Sequence, residues 1–256
     1  MDSSKIFRLD GQVALVTGAS SGLGVRFAEV AAANGASVML VARRGDRLQT
    51  LRTKIEKAGG RAAVAEADVT DHTAVARAFD AAEKAFGTVT LLVNNAGVAH
   101  ADRALDLPEE GWRRVLDTNM DAVFFTAQEA ARRMLAANKR GSIVNIASIL
   151  GLGVAKGSIA YAVAKAGVVQ MTKALALELA FKGVRVNAIA PGFVVTEINR
   201  EFLAKRSDMT RHIPIGRFGE ESDLDGAFLL LASDAGRYMA GAVIVVDGGQ
   251  ILAIPG

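Results

Sequence analysis

Val13-Ala14-Leu15-Val16-Thr17-Gly18-Ala19-Ser20-Ser21-Gly22-Leu23-Gly24 is the stretch that decides the fold. A short apolar, β-branched run enters a turn holding Gly18, Gly22 and Gly24, and a helical pattern over 22–34 follows at once. Glycines at such a junction allow a tight turn and let an anion such as a pyrophosphate approach the backbone, where the first N–H groups of the helix meet it. The spacing is not Gly-x-Gly-x-x-Gly, and no Lys-Ser or Lys-Thr pair follows, which disfavours a nucleoside-triphosphatase loop.

Outward from this junction the pattern repeats. Strands are expected at 13–17, 37–41, 62–67, 91–94, 142–147, 185–190 and 242–247, and helices at about 22–34, 46–58, 71–86, 109–137, 160–181 and 222–233. Strands alternating with helices indicate a parallel sheet of βαβ units. The strands are near-continuous Val/Ile/Leu/Ala runs, so they should be covered on both faces. No linker or repeat interrupts the series, so residues 1–256 read as one domain. The polar region at about 193–220 exceeds an ordinary connection and is expected to carry a short helix and act as a substrate loop.

Composition narrows the function. The chain has no cysteine, which removes disulfides, thiol catalysis and Cys-ligated metal together. Its 30 basic and 27 acidic residues are interspersed, with a net charge of only +3, so no nucleic-acid surface is expected. His72, His100 and His212 lack metal-ligand spacing, and no metal is expected. Residues 1–11 hold no apolar signal-peptide core, and no apolar run approaches the ~20 residues of a membrane span. A soluble, cytoplasmic protein acting on a small molecule, with neither membrane nor nucleic acid as partner, is the expectation.

The second strand ends Leu40-Val41-Ala42, and Arg43-Arg44 follow. An acid at this place would hold a ribose 2′-hydroxyl, whereas two guanidiniums suit a 2′-phosphate. NADP(H) is therefore expected over NAD(H), with solvation of a loop tip as the other reading of the pair. Tyr161 and Lys165 stand four apart on a predicted helix, on one face. A free tyrosine, with a pKa near ~10, is a poor base at neutral pH. The neighbouring ammonium, aided by the charge of an oxidised nicotinamide, is expected to lower that value.

From about Leu9 to Gly249 the chain resembles the short-chain dehydrogenase/reductase family, particularly its 3-oxoacyl reductase-like members. Thr17–Gly24 is similar to that family's Thr-Gly-x-x-x-Gly-x-Gly. Asn94-Asn95-Ala96-Gly97 is similar to its segment after the fourth strand, and Tyr161-Ala162-Val163-Ala164-Lys165 to its Tyr-x-x-x-Lys, with Ser148 and Asn119 upstream. The resemblance implies a single Rossmann-type, doubly wound α/β domain with a seven-stranded parallel sheet. It also implies hydride transfer between NADP(H) and a carbonyl or secondary alcohol, with ketone reduction as the expected direction. Tyr161 would then pass the proton, Ser148 would hold the substrate oxygen, Lys165 would also bind the nicotinamide ribose, and Asn119 would anchor a water relaying protons to Lys165.

For the cofactor the resemblance points to Gly18, Ser20, Ser21, Gly22, Leu23, Gly24, Arg43, Arg44, Asn95, Ala96, Gly97, Tyr161 and Lys165. It adds Asp68-Val69 at the adenine, although Asp68 could equally cap the following helix. Pro191, Gly192, Val194 and Thr196 belong beside the nicotinamide. Ser148, Leu150, Tyr161 and Phe193 are expected to face substrate, with Lys156, Arg200 or Arg211 either receiving an acidic group or merely solvating the surface. An NAD-dependent alcohol or sugar dehydrogenase and a non-catalytic cofactor-binding protein are the competing readings. The helix at 160–181 is apolar on nearly every side, which suits either deep burial or pairing with a second copy, in a homodimer or homotetramer. Tyr161→Phe should leave cofactor binding nearly intact and remove most turnover, as fluorescence titration and steady-state rates would report.

Overall fold

The computed structural model describes residues 3–197 and 199–252. Seven parallel strands form one sheet: β1 (Val13–Thr17), β2 (Ser37–Ala42), β3 (Arg61–Glu66), β4 (Leu91–Asn94), β5 (Gly141–Ile146), β6 (Val184–Pro191) and β9 (Val243–Val246). Their order is β3-β2-β1-β4-β5-β6-β9. Between β6 and β9 the two-residue strands β7 (Val194–Val195) and β8 (Gly219–Glu220) pair in parallel. The chain builds outward from β1 in one direction and then resumes at β4 on the other side. A crevice therefore opens at the carboxyl ends of β1 and β4, where such sheets bind ligands.

Successive strand residues point to opposite faces, so each strand supplies both layers of the core. Ala14, Val16, Val38 and Leu40 pack with Phe27, Leu48 and Phe228 beneath helices α1 (Gly22–Ala33), α2 (Gly45–Lys57) and α8 (Asp225–Ala232). Val13, Leu15, Met39 and Leu92 pack on the other face with Phe79 and Met134, beneath α3 (His72–Phe86) and α5 (Ala122–Ala136). The central strands β1, β2 and β4 are buried throughout, as expected. The two edge strands, β3 and β9, have partly open faces because one neighbour is missing.

Two expectations are corrected. The helix expected over 109–137 is two helices, α4 (Glu109–Leu116) and α5, joined by a π turn at Asp117–Asp121. Asp71, rather than Asp68, caps α3, accepting from the N–H groups of Thr73 and Ala74. Helix α6 (Ile159–Leu179) divides its apolar residues: Ala162, Val168 and Val169 are buried, whereas Val163 and Leu177 are exposed. The region at 193–220 does carry a short helix, α7 (Arg200–Ala204), and a 3₁₀ turn, Ser207–His212. Among the described residues no helix is long and apolar enough to cross a membrane.

A buried polar chain ties α6 to the sheet. Asn94 Nδ2 donates to Asn145 Oδ1 at 3.0 Å, and Asn145 Nδ2 donates to Thr172 Oγ1 at 3.0 Å. Unmet polar groups at such depth are costly. Asn145→Leu should lower stability by about 1–3 kcal/mol, measured as a fall in the urea midpoint.

Candidate active site

The crevice at the ends of β1 and β4 is braced before any ligand is considered. Thr17 Oγ1 accepts from the N–H groups of Asn95 (3.0 Å) and Ala96 (3.1 Å), and Asn95 Nδ2 donates to Thr17 O at 3.0 Å. The Asn95 side chain thus braces the glycine turn at the crevice where a cofactor is expected. A methyl on Gly24 would come to 2.2 Å from Gly18 O and 2.6 Å from Asn95 Nδ2. Only glycine lets the first turn of α1 seat so closely.

The N-terminus of α1 and the loop after β2 converge on this turn. Ser21 precedes α1 but makes no side-chain cap bond. Its hydroxyl instead accepts from Arg44 Nη2 at 2.9 Å, and Ser20 Oγ accepts from the same nitrogen at 2.9 Å. The donors at the start of α1 therefore gain no partner from Ser21, and a guanidinium fork lies beside them. Such a set of helix N–H groups, hydroxyls and Arg suits phosphate oxygens. Ser20, Ser21, Gly22, Leu23 and Arg44 are the residues that would hold the phosphates of a dinucleotide.

Arg43 turns the other way, 3.6 Å from Asp68 Oδ2. Burial works to raise the Asp68 carboxyl, but hydrogen bonds from Thr70 and the Arg43 charge outweigh it and hold the group below its ordinary range. Val69 beside it is buried. Across the turn, Thr196 is the nearest neighbour a side chain on Gly22 would meet, at 3.3 Å. Arg47 in α2 donates to both Glu197 carboxylate oxygens, at 2.8 and 3.1 Å. Sequence reasoning missed this bridge, because the partners are 150 positions apart.

At the end of β5, Ser148 has extended backbone (φ −167°, ψ 157°) and begins a 3₁₀ turn, Ile149–Gly151. Its Oγ accepts from Leu150 N at 3.1 Å, which leaves its proton free to be donated. Lys165 is buried, and its Nζ donates to Ile146 O at 2.6 Å. The same Nζ lies 5.6 Å from the centre of the Tyr161 ring. Burial pushes the Tyr161 phenol above its ordinary value, and a hydrogen bond with Ser148 works against that rise. The influence opposing that rise comes from Ser148, while the Lys165 ammonium directs one of its three N–H groups to the Ile146 carbonyl.

Asn119 sits in the π turn, fully buried. Its Oδ1 accepts from Val98 N and its Nδ2 donates to Val98 O, each at 2.8 Å, and a methyl on Gly97 would lie 3.3 Å from its Oδ1. The amide therefore pins the segment after β4. Met120 next to it packs with Tyr161, Ala160 and Ala164.

Of the residues expected to face substrate, Leu150 and Phe193 are half-buried, and Phe193 meets Phe218 edge-on at 6.4 Å. Pro191 ends β6, and Gly192 abuts Asp247 and Gln250. Asn199 Nδ2 donates to the Val194 carbonyl at 2.8 Å and its Oδ1 accepts from Thr196 N at 2.8 Å, a second clamp that sequence reading missed. Lys156 and Arg200 are exposed, and Arg211 donates to His212.

A family model described as enoyl-(acyl carrier protein) reductase matches residues 18–250. The chain belongs to the short-chain dehydrogenase/reductase family. It is 41% identical to galactitol 2-dehydrogenase (L-tagatose-forming) of Cereibacter sphaeroides, over 97% of this chain and 98% of that protein. It is 36% identical to a 3-oxoacyl-(acyl-carrier-protein) reductase of Thermotoga maritima, over 96% of this chain and 100% of that one. A gluconate 5-dehydrogenase of Burkholderia cenocepacia, crystallised with NADP and tartrate, superposes with a TM-score of 0.93 at 34% identity, covering 98% and 100% of the two chains. This short-chain dehydrogenase/reductase is an oxidoreductase of alcohol and carbonyl groups that uses a nicotinamide dinucleotide.

Burial also lowers Lys165, from its ordinary 10.5 to about 8. Below about 8 both folded and unfolded chains carry the ammonium, and the folded one bears the full cost of burying it. Between about 8 and 10.5 the unfolded chain holds a proton that the folded chain has released, so stability rises with pH. Against Lys165→Met as reference, wild type should gain stability across this window in urea titrations. A flat difference would contradict the assignment.

Proposed function

We propose that this chain is an NADP(H)-dependent enzyme interconverting a secondary alcohol and a ketone, with polyols and sugar acids as the substrate class. The observation that carries it is the convergence of Ser148, Tyr161 and Lys165 at the end of β5. The Ser148 hydroxyl works against the rise of the phenol, and the amine is anchored on the adjoining strand. Ser148 holds the substrate oxygen by donating to it. Tyr161 gives that oxygen a proton in reduction and takes one in oxidation. Lys165 keeps a positive charge beside the phenol and hydrogen-bonds the cofactor ribose. The cofactor, when bound, supplies or accepts the hydride.

The substrate class is supported by the likeness to galactitol 2-dehydrogenase and gluconate 5-dehydrogenase. Ketone reduction remains the direction we assign. The fold serves as one domain with residues 193–220 as the substrate loop, and a cytoplasmic location accords with a cysteine-free chain. The exposed apolar residues of α6, including Val163 and Leu177, and Phe125 of α5 support assembly into a homodimer or homotetramer.

NADP(H) over NAD(H) is supported by Arg44, whose fork spans Ser20 and Ser21. Arg44→Ala should weaken NADPH binding by about 10- to 100-fold, the worth of a charged hydrogen bond, and leave NADH nearly unchanged. Fluorescence titration with both cofactors checks it; equal losses would overturn the preference. A panel of polyols, sugar acids, ketones and 3-oxoacyl thioesters with both cofactors tests the substrate class.

A further inference from the structure

Lys165 touches the segment that carries Ser148 at two points, one on each side of it. Its Nζ donates to Ile146 O at 2.6 Å. On the other side Gly151 rests on the Lys165 backbone: a methyl there would come to 2.6 Å from Lys165 O, 2.7 Å from its carbonyl carbon and 3.0 Å from Ala166 N. These atoms belong to the backbone of a 21-residue helix, so they cannot swing aside as a side-chain tip would. Gly151 is not among the glycines with positive φ, so its conformation does not itself demand glycine. What excludes a side chain is space.

The 3₁₀ turn passes any displacement of Gly151 on to Ser148. Gly151 N donates to Ser148 O at 2.9 Å, and Leu150 N donates to Ser148 Oγ at 3.1 Å. The turn therefore moves as a unit. We propose that Gly151 is a positioning residue, whose missing side chain seats this turn on α6 at the depth that brings the Ser148 hydroxyl to the Tyr161 phenol. The inference rests on the roles assigned to Ser148 and Tyr161. Relieving the clash of an added methyl needs a shift of about 0.5–1 Å, and misplacements of that size can cost ~100-fold in rate.

The test needs no substrate. The chain has only two tyrosines, Tyr161 and Tyr238, and Tyr238 is fully exposed. In a Tyr238→Phe background, ultraviolet absorbance therefore follows the Tyr161 phenol alone as pH rises. Ser148→Ala removes the hydroxyl that opposes the rise of Tyr161, so its phenol should titrate at higher pH. Gly151→Ala should do the same, and adding it to Ser148→Ala should cause no further shift. Gly226→Ala, where an added methyl meets nothing within 4 Å, should titrate as the background does. On the best substrate of the panel, Gly151→Ala should lower kcat about 10- to 100-fold with NADPH affinity retained.

An unshifted Gly151→Ala titration, an additive shift in the double variant, or a Gly151→Ala protein that fails to fold would each overturn the proposal. Full activity in Ser148→Ala would instead overturn the catalytic assignment itself, so the two failures are distinguishable.

Discussion

One buried cation organises this molecule. The Lys165 ammonium lies out of water on a helix packed against the sheet, and an isolated charge at such depth is costly unless it is hydrogen-bonded. The Ile146 carbonyl meets that need at 2.6 Å. The bond joins α6 to β5 immediately before Ser148 and sets the helix against the strand end. Tyr161, one turn earlier, is carried into the same corner. The amine's cost to stability and its hold on the strand have one origin, a charge placed where water cannot screen it.

The other half of the site is built from backbone. Thr17, Asn95 and the three glycines of the turn form a network that brings the ends of β1 and β4 together. Nearly every side chain in it is occupied with neighbouring main chain, while the start of α1 is left uncapped by any side chain. Rigidity in the frame and unmet donors at its rim are what an anion-binding crevice requires.

Much of this was legible in the sequence because it depends on local chemistry. The apolar runs at 13–17 and 91–94 match β1 and β4 to the residue, since fully buried strands leave few polar positions to blur their ends. Tyr161 and Lys165 could be paired from their spacing alone. What escaped was set by distant partners. The break within 109–137 is invisible in a helical pattern because Asn119 is drawn aside by Val98, and Asp68 lost the cap of α3 to Asp71, three places nearer the helix. The bond from Lys165 to the Ile146 carbonyl was also hidden, because its partner lies on a strand 19 positions away.

The π turn at Asp117–Asp121 has a geometric effect beyond holding Asn119. Each helical residue advances about 100° around the axis, so one extra residue in a turn rotates everything downstream by roughly that angle. Val115, before the turn, packs toward Ala160 and Ala164, whereas Ala127, Ala130 and Met134, after it, pack toward the sheet. An uninterrupted cylinder with a single apolar stripe would have to choose between those two surfaces. The phase slip lets one stretch of chain serve both, with its pivot at the amide that fastens the wall of the crevice.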